Sequence, residues 1–329
     1  MSTLIAVILF IGVVAYALFG GADFGVGFWD LTAGGRRRGP AFRELINLSI
    51  SPVWEANHTW LVFILVMMWT AFPQAYTAIT TTLYIPLGLA ALGIVARGSS
   101  FAFRHALSHR RGELIATIAF ATSSVITPFF FGAIAGGIAS GRVPSAGYGH
   151  PLFSWLNPTS VLGGVLAVTV CAYLAAVFLV GQAQRRGNTV LEKAFRRRAF
   201  GAGIVAGLVA LAGVFILQAD SPRLFHQLSR VGAPLLVISA LSGLAALILL
   251  RKGRPPVVRT LAATAIVAVM AGWGVAQYPY VLGTHLTIDQ AASPADTLWQ
   301  LFAVSCLAAV LIAPSLVLLY ILQLRRKLG

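Results

Sequence analysis

Acidic residues are scarce in this chain. Nine of its 329 residues are Asp or Glu, and charged residues of either sign make up 10% of the whole. A soluble domain carries about 25% charged residues, so a water-exposed globular surface is excluded. Cysteine is scarcer still. Cys171 and Cys306 are the only two, and each lies inside an apolar run. That excludes a disulfide framework and a C-x-x-C metal site, and both thiols are expected to pack as small hydrophobes. Histidine is thin where it would matter for redox chemistry. Of His58, His105, His109, His150, His226 and His285, only His58 falls within an apolar run. A multi-haem membrane protein needs axial ligands facing each other across a bundle, and this sequence offers no such set.

Hydrophobic residues are abundant, at 58% of the chain with a mean hydropathy of +0.85. Apolar windows of roughly 20 residues, the length that crosses a bilayer, fall at 3–29, 52–72, 76–97, 114–140, 159–183, 199–219, 233–250, 258–279 and 298–324. The expectation is an all-α polytopic membrane protein of nine transmembrane helices. The first window has no basic segment before it and no A-x-A site after it, so it is read as a retained span.

The net charge of +15 would suit nucleic acid, but the placement of the 24 Lys and Arg residues says otherwise. Arg36, Arg37, Arg38 and Arg43 follow the first window. Arg97, Arg104, Arg110 and Arg111 follow the third, and the cluster from Arg185 to Arg198 follows the fifth. Arg251, Lys252, Arg254 and Arg259 follow the seventh, and Arg325, Arg326 and Lys327 follow the ninth. The other connections hold only Arg142, Arg223 and Arg230. By the positive-inside rule the N-terminus lies outside and the C-terminus in the cytoplasm. The basic charge is therefore topological, and no nucleic-acid partner is expected.

Ionisable groups at membrane depth are costly and mark function by default. Asp23 lies in "GGADFGVG" near the end of the first window, among glycines that let another backbone approach. Two readings stand for it: an interfacial carboxylate paired with an arginine or capping a helix, or a group handling protons or ions. Glu55 and His58 open the second window in "SPVWEANHTWLVF". Their i, i+3 spacing puts them on one helix face. Glu-x-x-His is half of a di-iron pattern, but the remaining carboxylates are absent from the windows, so no metal is expected. A glutamate held by the helix dipole and a proton relay remain open.

These motifs together resemble subunit II of the cytochrome bd quinol oxidases. "GADFGVG", "SPVWEANHTWLVF", "RGSSFAFR" (97–104) and "LTIDQAAS" (286–293) carry the resemblance, which runs from residue 1 to about 325. It implies two four-helix bundles, here 1–140 and 159–279, and a peripheral last helix at 298–324. It also implies a heterodimer with a subunit I that carries two haems b, one haem d and the quinol site, in the bacterial cytoplasmic membrane. This chain would bind no haem. The complex would oxidise quinol, reduce dioxygen to water and draw protons from the cytoplasm. In family members with a W-D-G-N motif, the aspartate begins a proton path. Here Trp54-Glu55-Ala56-Asn57 occupies that motif, Glu55 adds a methylene, and His58 stands where Gln is common. Asp23 matches the family's other carboxylate in the first span. The resemblance thus implies a proton pathway through Glu55, Asp23 and His58. Trp54, Asn57, Trp60 and Arg97 become candidates for contacts to a quinone, a lipid or the partner subunit. Small single-helix accessory subunits and a structural quinone or lipid also fit the resemblance. A proton- or ion-coupled secondary transporter using Asp23 and Glu55, and a purely structural scaffold for the haem subunit, are the competing readings.

Overall fold

The computed structural model describes residues 1–34, 39–50, 54–103, 110–253 and 255–324. Within them, the side chains of 47–50, 54–55, 101–103, 110–111, 113, 313, 316, 319–320 and 323–324 lie outside the description. In chain order the helices are α1 (Ser2–Leu31), α2 (Gly39–Ile50), α3 (Trp54–Ala71), α4 (Pro73–Thr82), α5 (Tyr84–Phe103), α6 (Arg110–Ala139), α7 (Pro158–Arg185), α8 (Thr189–Asp220), α9 (Pro222–Arg230), α10 (Ala233–Lys252) and α11 (Pro255–Gln277). A short hairpin of β1 (Tyr280–Leu282) and β2 (Leu286–Thr287), the turn α12 (Ile288–Ala291) and α13 (Ala295–Leu324) complete the chain. Helices are what a bilayer permits, because each satisfies its backbone hydrogen bonds internally. Seven of them are long and apolar enough to cross a membrane among the described residues, or eight if α3 and α4 are taken as one bent pair.

Two expected boundaries move. The window 76–97 is not one helix: α4 turns by 117° from α3, and the straight run begins again at Tyr84. Pro73 occupies the first turn of α4, where its missing N–H costs nothing, and the threonine-rich end of α4 bonds its hydroxyls back to the carbonyls of Tyr76 and Thr77. The basic segment before the sixth window is not a loop throughout. Helix α8 already starts at Thr189, because the Asn188 side chain accepts the Leu191 N–H at 3.0 Å and Glu192 pairs with Arg196 one turn on.

α1 and α7 form the centre. α1 packs against α3, α6 and α7, and α7 packs in turn against α6, α8 and α11. Small residues set these distances. A Cβ at Gly25 would lie 1.8 Å from the Cys171 carbonyl oxygen, and one at Gly132 would lie 2.2 Å from the Gly163 carbonyl oxygen. Such approaches are how membrane helices gain packing when lipid supplies no hydrophobic drive between them. Large apolar side chains of α8 and α10, such as Leu208, Leu211, Leu241 and Leu244, point outward and are exposed. α13 packs mainly on α3 and presents Trp299, Val304 and Val310 outward.

The connections gather at two ends. At one end Arg198 donates to the Thr32 carbonyl at 2.7 Å, and Arg43 pairs with Asp30 at 3.2 Å. At the other end Arg142 forks onto Asp220 at 2.7 and 3.0 Å, and Thr159 donates to the same carboxylate at 2.6 Å. Arg223 donates to the Gly283 carbonyl at 3.0 Å, and Ser2 bonds Asp289. Within "LTIDQAAS", Thr287 and Gln290 form a capping box, and the Ser293 hydroxyl donates to the Thr70 carbonyl at 2.7 Å. This last bond closes the C-terminal end of α3. The 184–198 and 280–297 connections thus sit at opposite ends, as the charge alternation requires.

Two outcomes test this architecture. In a Cys306→Ser background, cysteines placed at Lys193 and at Thr284 should react with a membrane-impermeant thiol reagent from opposite sides; labelling from one side alone would refute the topology. Gly25→Ala should lower the melting temperature, because overpacking a backbone contact costs about 1–3 kcal/mol. Gly207→Ala, where no atom lies within 4 Å, should leave it unchanged or raise it, with a stability gain of up to about 1 kcal/mol.

Candidate functional site

The two motifs that stand out in the sequence meet in space. Asp23 lies in the C-terminal third of α1 and is 5% exposed, and Asn57 lies in the first turn of α3 and is 3% exposed. The Asn57 amide donates to the Asp23 carboxylate and, at 3.3 Å, to the Phe19 carbonyl. The second bond ties α3 to the backbone of α1 and so fixes where the amide points. The fold allows this because α1 keeps glycines at 20, 21, 25 and 27. Two of them leave room for α7 behind the carboxylate: Gly25 meets the Cys171 carbonyl, and Gly21 faces the Cys171 sulfur.

Arg97 completes the site from a third helix. The charge tally assigns it to a connection, but α5 continues to Phe103, and Arg97 is 4% exposed inside it. Its guanidinium donates to the Asp23 carbonyl at 2.7 Å and lies 4.7 Å from the Phe24 ring and 5.2 Å from the Phe120 ring. The aromatic faces favour a cation there, and the Asp23 charge supplies a counter-charge. A buried carboxylate and a buried guanidinium are each costly alone and tolerable together. Removing one member of such a pair typically costs about 3–5 kcal/mol.

His58 is half-buried, with its ring centroid 6.2 Å from that of Tyr16 and 6.1 Å from that of Phe24. Trp60 packs on the same group of Tyr16, Phe24 and Cys171. The backbone of Trp54 and Glu55 begins α3, but their side chains lie outside the described residues, so the Glu55–His58 face is seen at His58 only. Two residues that sequence reasoning passed over belong to the site. Tyr16 stands on the same α1 face as Asp23, about two turns before it at i−7, a spacing that helical periodicity could have flagged, and its buried hydroxyl has no partner among the described residues. Cys171 was expected to be mere packing. It is buried as expected, but against this site, a placement that comes from α7 and has no local signal.

Three of the other histidines, His150, His226 and His285, lie among the described residues, at the end opposite Arg198. His150 uses Nδ1 to accept the Leu152 and Phe153 N–H groups at 3.2 and 3.1 Å, and His285 contacts the Thr284 hydroxyl at 3.1 Å. His226 is exposed at the same end, away from His58. His105 and His109 lie outside the described residues. No pair of described histidines faces across a bundle, and no group of three metal-ligating side chains occurs among the described residues. The site gathers an acid, an imidazole and a phenol, Asp23, His58 and Tyr16, and of these Asp23 and Tyr16 are buried.

Comparison with known proteins places the fold and the motifs together. A family model described as cytochrome bd terminal oxidase subunit II matches residues 1–323. The chain is 27% identical over 256 residues to the cytochrome bd ubiquinol oxidase subunit 2 of Bacillus subtilis (strain 168), covering 76% of this chain and 71% of that one. It is 28% identical over 223 residues to the cytochrome bd-I ubiquinol oxidase subunit 2 of Escherichia coli (strain K12), covering 64% of this chain and 56% of that one. A chain of the bd oxidase from Geobacillus thermodenitrificans has the same fold, with a TM-score of 0.80 at 24% identity and 97% of each chain covered. Matched by one family model along nearly its whole length, this helical chain belongs to the cytochrome bd terminal oxidase subunit II family.

Proposed function

We propose that the Asp23–Asn57–Arg97 pocket, with Glu55 and His58, is a cytoplasmic proton entrance serving a haem-bearing partner subunit. The chain is a multi-pass subunit of a quinol oxidase of the bacterial cytoplasmic membrane. Its relatives are named as subunits of ubiquinol oxidases, and reducing dioxygen to water consumes a proton for every electron. The observation that carries the reading is the bond from Asn57 in the "WEANH" segment to Asp23 in the "GADFG" segment. It joins the two carboxylate-bearing motifs into one site.

In this reading nine helices cross the membrane, grouped as bundles over 1–140 and 159–279 with 298–324 at the periphery. The end that gathers Arg43, Arg196 and Arg198 faces the cytoplasm, in keeping with the positive-inside rule. Glu55 takes up protons where α3 enters the membrane. His58, one turn deeper, and Asp23 lie next along the path. Asn57 holds the Asp23 carboxylate in one orientation, and Arg97 balances its charge. Haems b and d and the quinol site belong to subunit I, and when bound there they carry the electron chemistry. Trp60, packed on the site, is the surface offered to a quinone, a lipid or the partner.

Glu55→Gln keeps shape and removes the titrating group. Turnover of the assembled oxidase should fall by roughly tenfold or more, within the range of a general acid–base contribution, while Glu55→Asp keeps part of it. Asp23→Asn should behave like Glu55→Gln and leave the haem spectrum unchanged. Wild-type turnover in both assembled variants would refute the entrance. A further expectation concerns cofactors. The chain expressed alone should show no Soret band at one haem per chain, and a stoichiometric band would overturn the assignment of the haems to the partner.

A further inference from the structure

We infer that the Tyr16 hydroxyl is a further proton-carrying group, inward of Asp23 and His58, a role that rests on the proton entrance proposed above. Tyr16 is 9% exposed, and its hydroxyl has no hydrogen-bond partner among the described residues. A buried tyrosine hydroxyl usually has one. Packing alone would be met by a phenylalanine ring, which buries no polar atom.

The phenol is held beside the other members of the site. Its ring lies over Gly20, one turn of α1 toward Asp23, where a Cβ would come within 2.9 Å of the Tyr16 Cε2. Its centroid is 6.2 Å from that of His58 and 6.4 Å from that of Phe24, and the His58 and Phe24 rings are 6.1 Å apart. Phe24 in turn lies 4.7 Å from the Arg97 guanidinium. Gly20, which opens "GGADFGVG", thus gives the phenol its place beside the imidazole.

A second buried hydroxyl follows on α6. Thr127 is fully buried, and its Oγ1 also has no partner among the described residues. It fits against α5 because residue 93 is glycine, where a Cβ would lie 2.2 Å from that oxygen. Gly93 is about one turn from Arg97 on α5, and Thr127 about two turns from Phe120 on α6. Phe131, one turn beyond Thr127, has its ring centroid 5.8 Å from that of Tyr16. In the orientation proposed above, Tyr16 and Thr127 both lie farther from the cytoplasm than Asp23 and Arg97. A phenol is donor and acceptor at once. Its oxygen takes a proton from the side of His58 and Asp23 as its own O–H proton leaves inward, so no charge stays on the ring and no electron moves.

Tyr16→Phe in the assembled oxidase removes the oxygen and keeps the ring. Turnover should fall roughly tenfold, within the range of a general acid–base contribution, and the solvent deuterium isotope effect should rise as proton transfer becomes limiting. The melting temperature and the haem spectrum should stay unchanged, since the lost hydroxyl has no partner among the described residues. Gly20→Ala keeps the hydroxyl but displaces the ring, and serves if Tyr16→Phe does not assemble; a severalfold loss with the same rise in isotope effect is expected. Wild-type turnover in the assembled variant, with Asp23→Asn and Glu55→Gln slowed, would overturn the role of Tyr16 and leave the entrance standing. Slow turnover with a lower melting temperature and an unchanged isotope effect would mark a packing role and overturn it as well. Wild-type turnover in Tyr16→Phe, Asp23→Asn and Glu55→Gln alike would overturn the entrance itself.

Discussion

A carboxylate cannot sit in a membrane bundle without a partner, and Asp23 is where that constraint is met. Its carboxylate accepts from an amide on α3 and its backbone carbonyl from a guanidinium on α5, while α7 closes the space behind it. Three helices from separate parts of the chain must therefore keep their register for the group to be tolerated. In a medium of low dielectric the penalty for an unpaired charge is several kcal/mol. That penalty makes the pocket a constraint on the fold as well as a candidate for chemistry.

The glycines around Asp23 serve the same end. Packing in lipid depends on contact area, and contact area depends on how closely backbones approach. At Gly25 the α1 backbone approaches the Cys171 carbonyl closely enough to leave no space for a side chain. Gly132 and Gly163 do the same between α6 and α7. The polar site thus lies beside one of the closest backbone approaches among the described residues, that of Gly25 to Cys171. A carboxylate, a guanidinium and a tyrosine are buried together beside these contacts.

The two ends of the bundle are built by different means. The arginine-rich end uses cations on carbonyls and aromatic faces, as where Arg198 covers Trp29, Phe42 and Phe195 at 5.4, 4.5 and 5.3 Å. The opposite end has few cations and is closed by the Arg142–Asp220 fork and by the capped turn that bonds the last carbonyls of α3. An excess of positive charge at one end only is compatible with a membrane whose two faces differ in potential and lipid charge.

The sequence by itself determined the helical membrane class and most of the helix positions, because a run of about 20 apolar residues has few alternatives in a bilayer. It also singled out Asp23, Asn57 and His58, since polar groups are conspicuous against an apolar background. Arg97 was visible too, but only as one basic residue beyond the third apolar window. That it turns inward onto Asp23 depends on α5 running on to Phe103 and on rings from α1 and α6. The bend between α3 and α4, the helical start of α8 at Thr189 and the place of Cys171 behind Asp23 were likewise decided by tertiary structure. Hydropathy reports how a segment partitions into lipid. It carries no information about which segments become neighbours, and Asn57, Arg97 and Cys171 reach Asp23 and its flanking glycines from other segments.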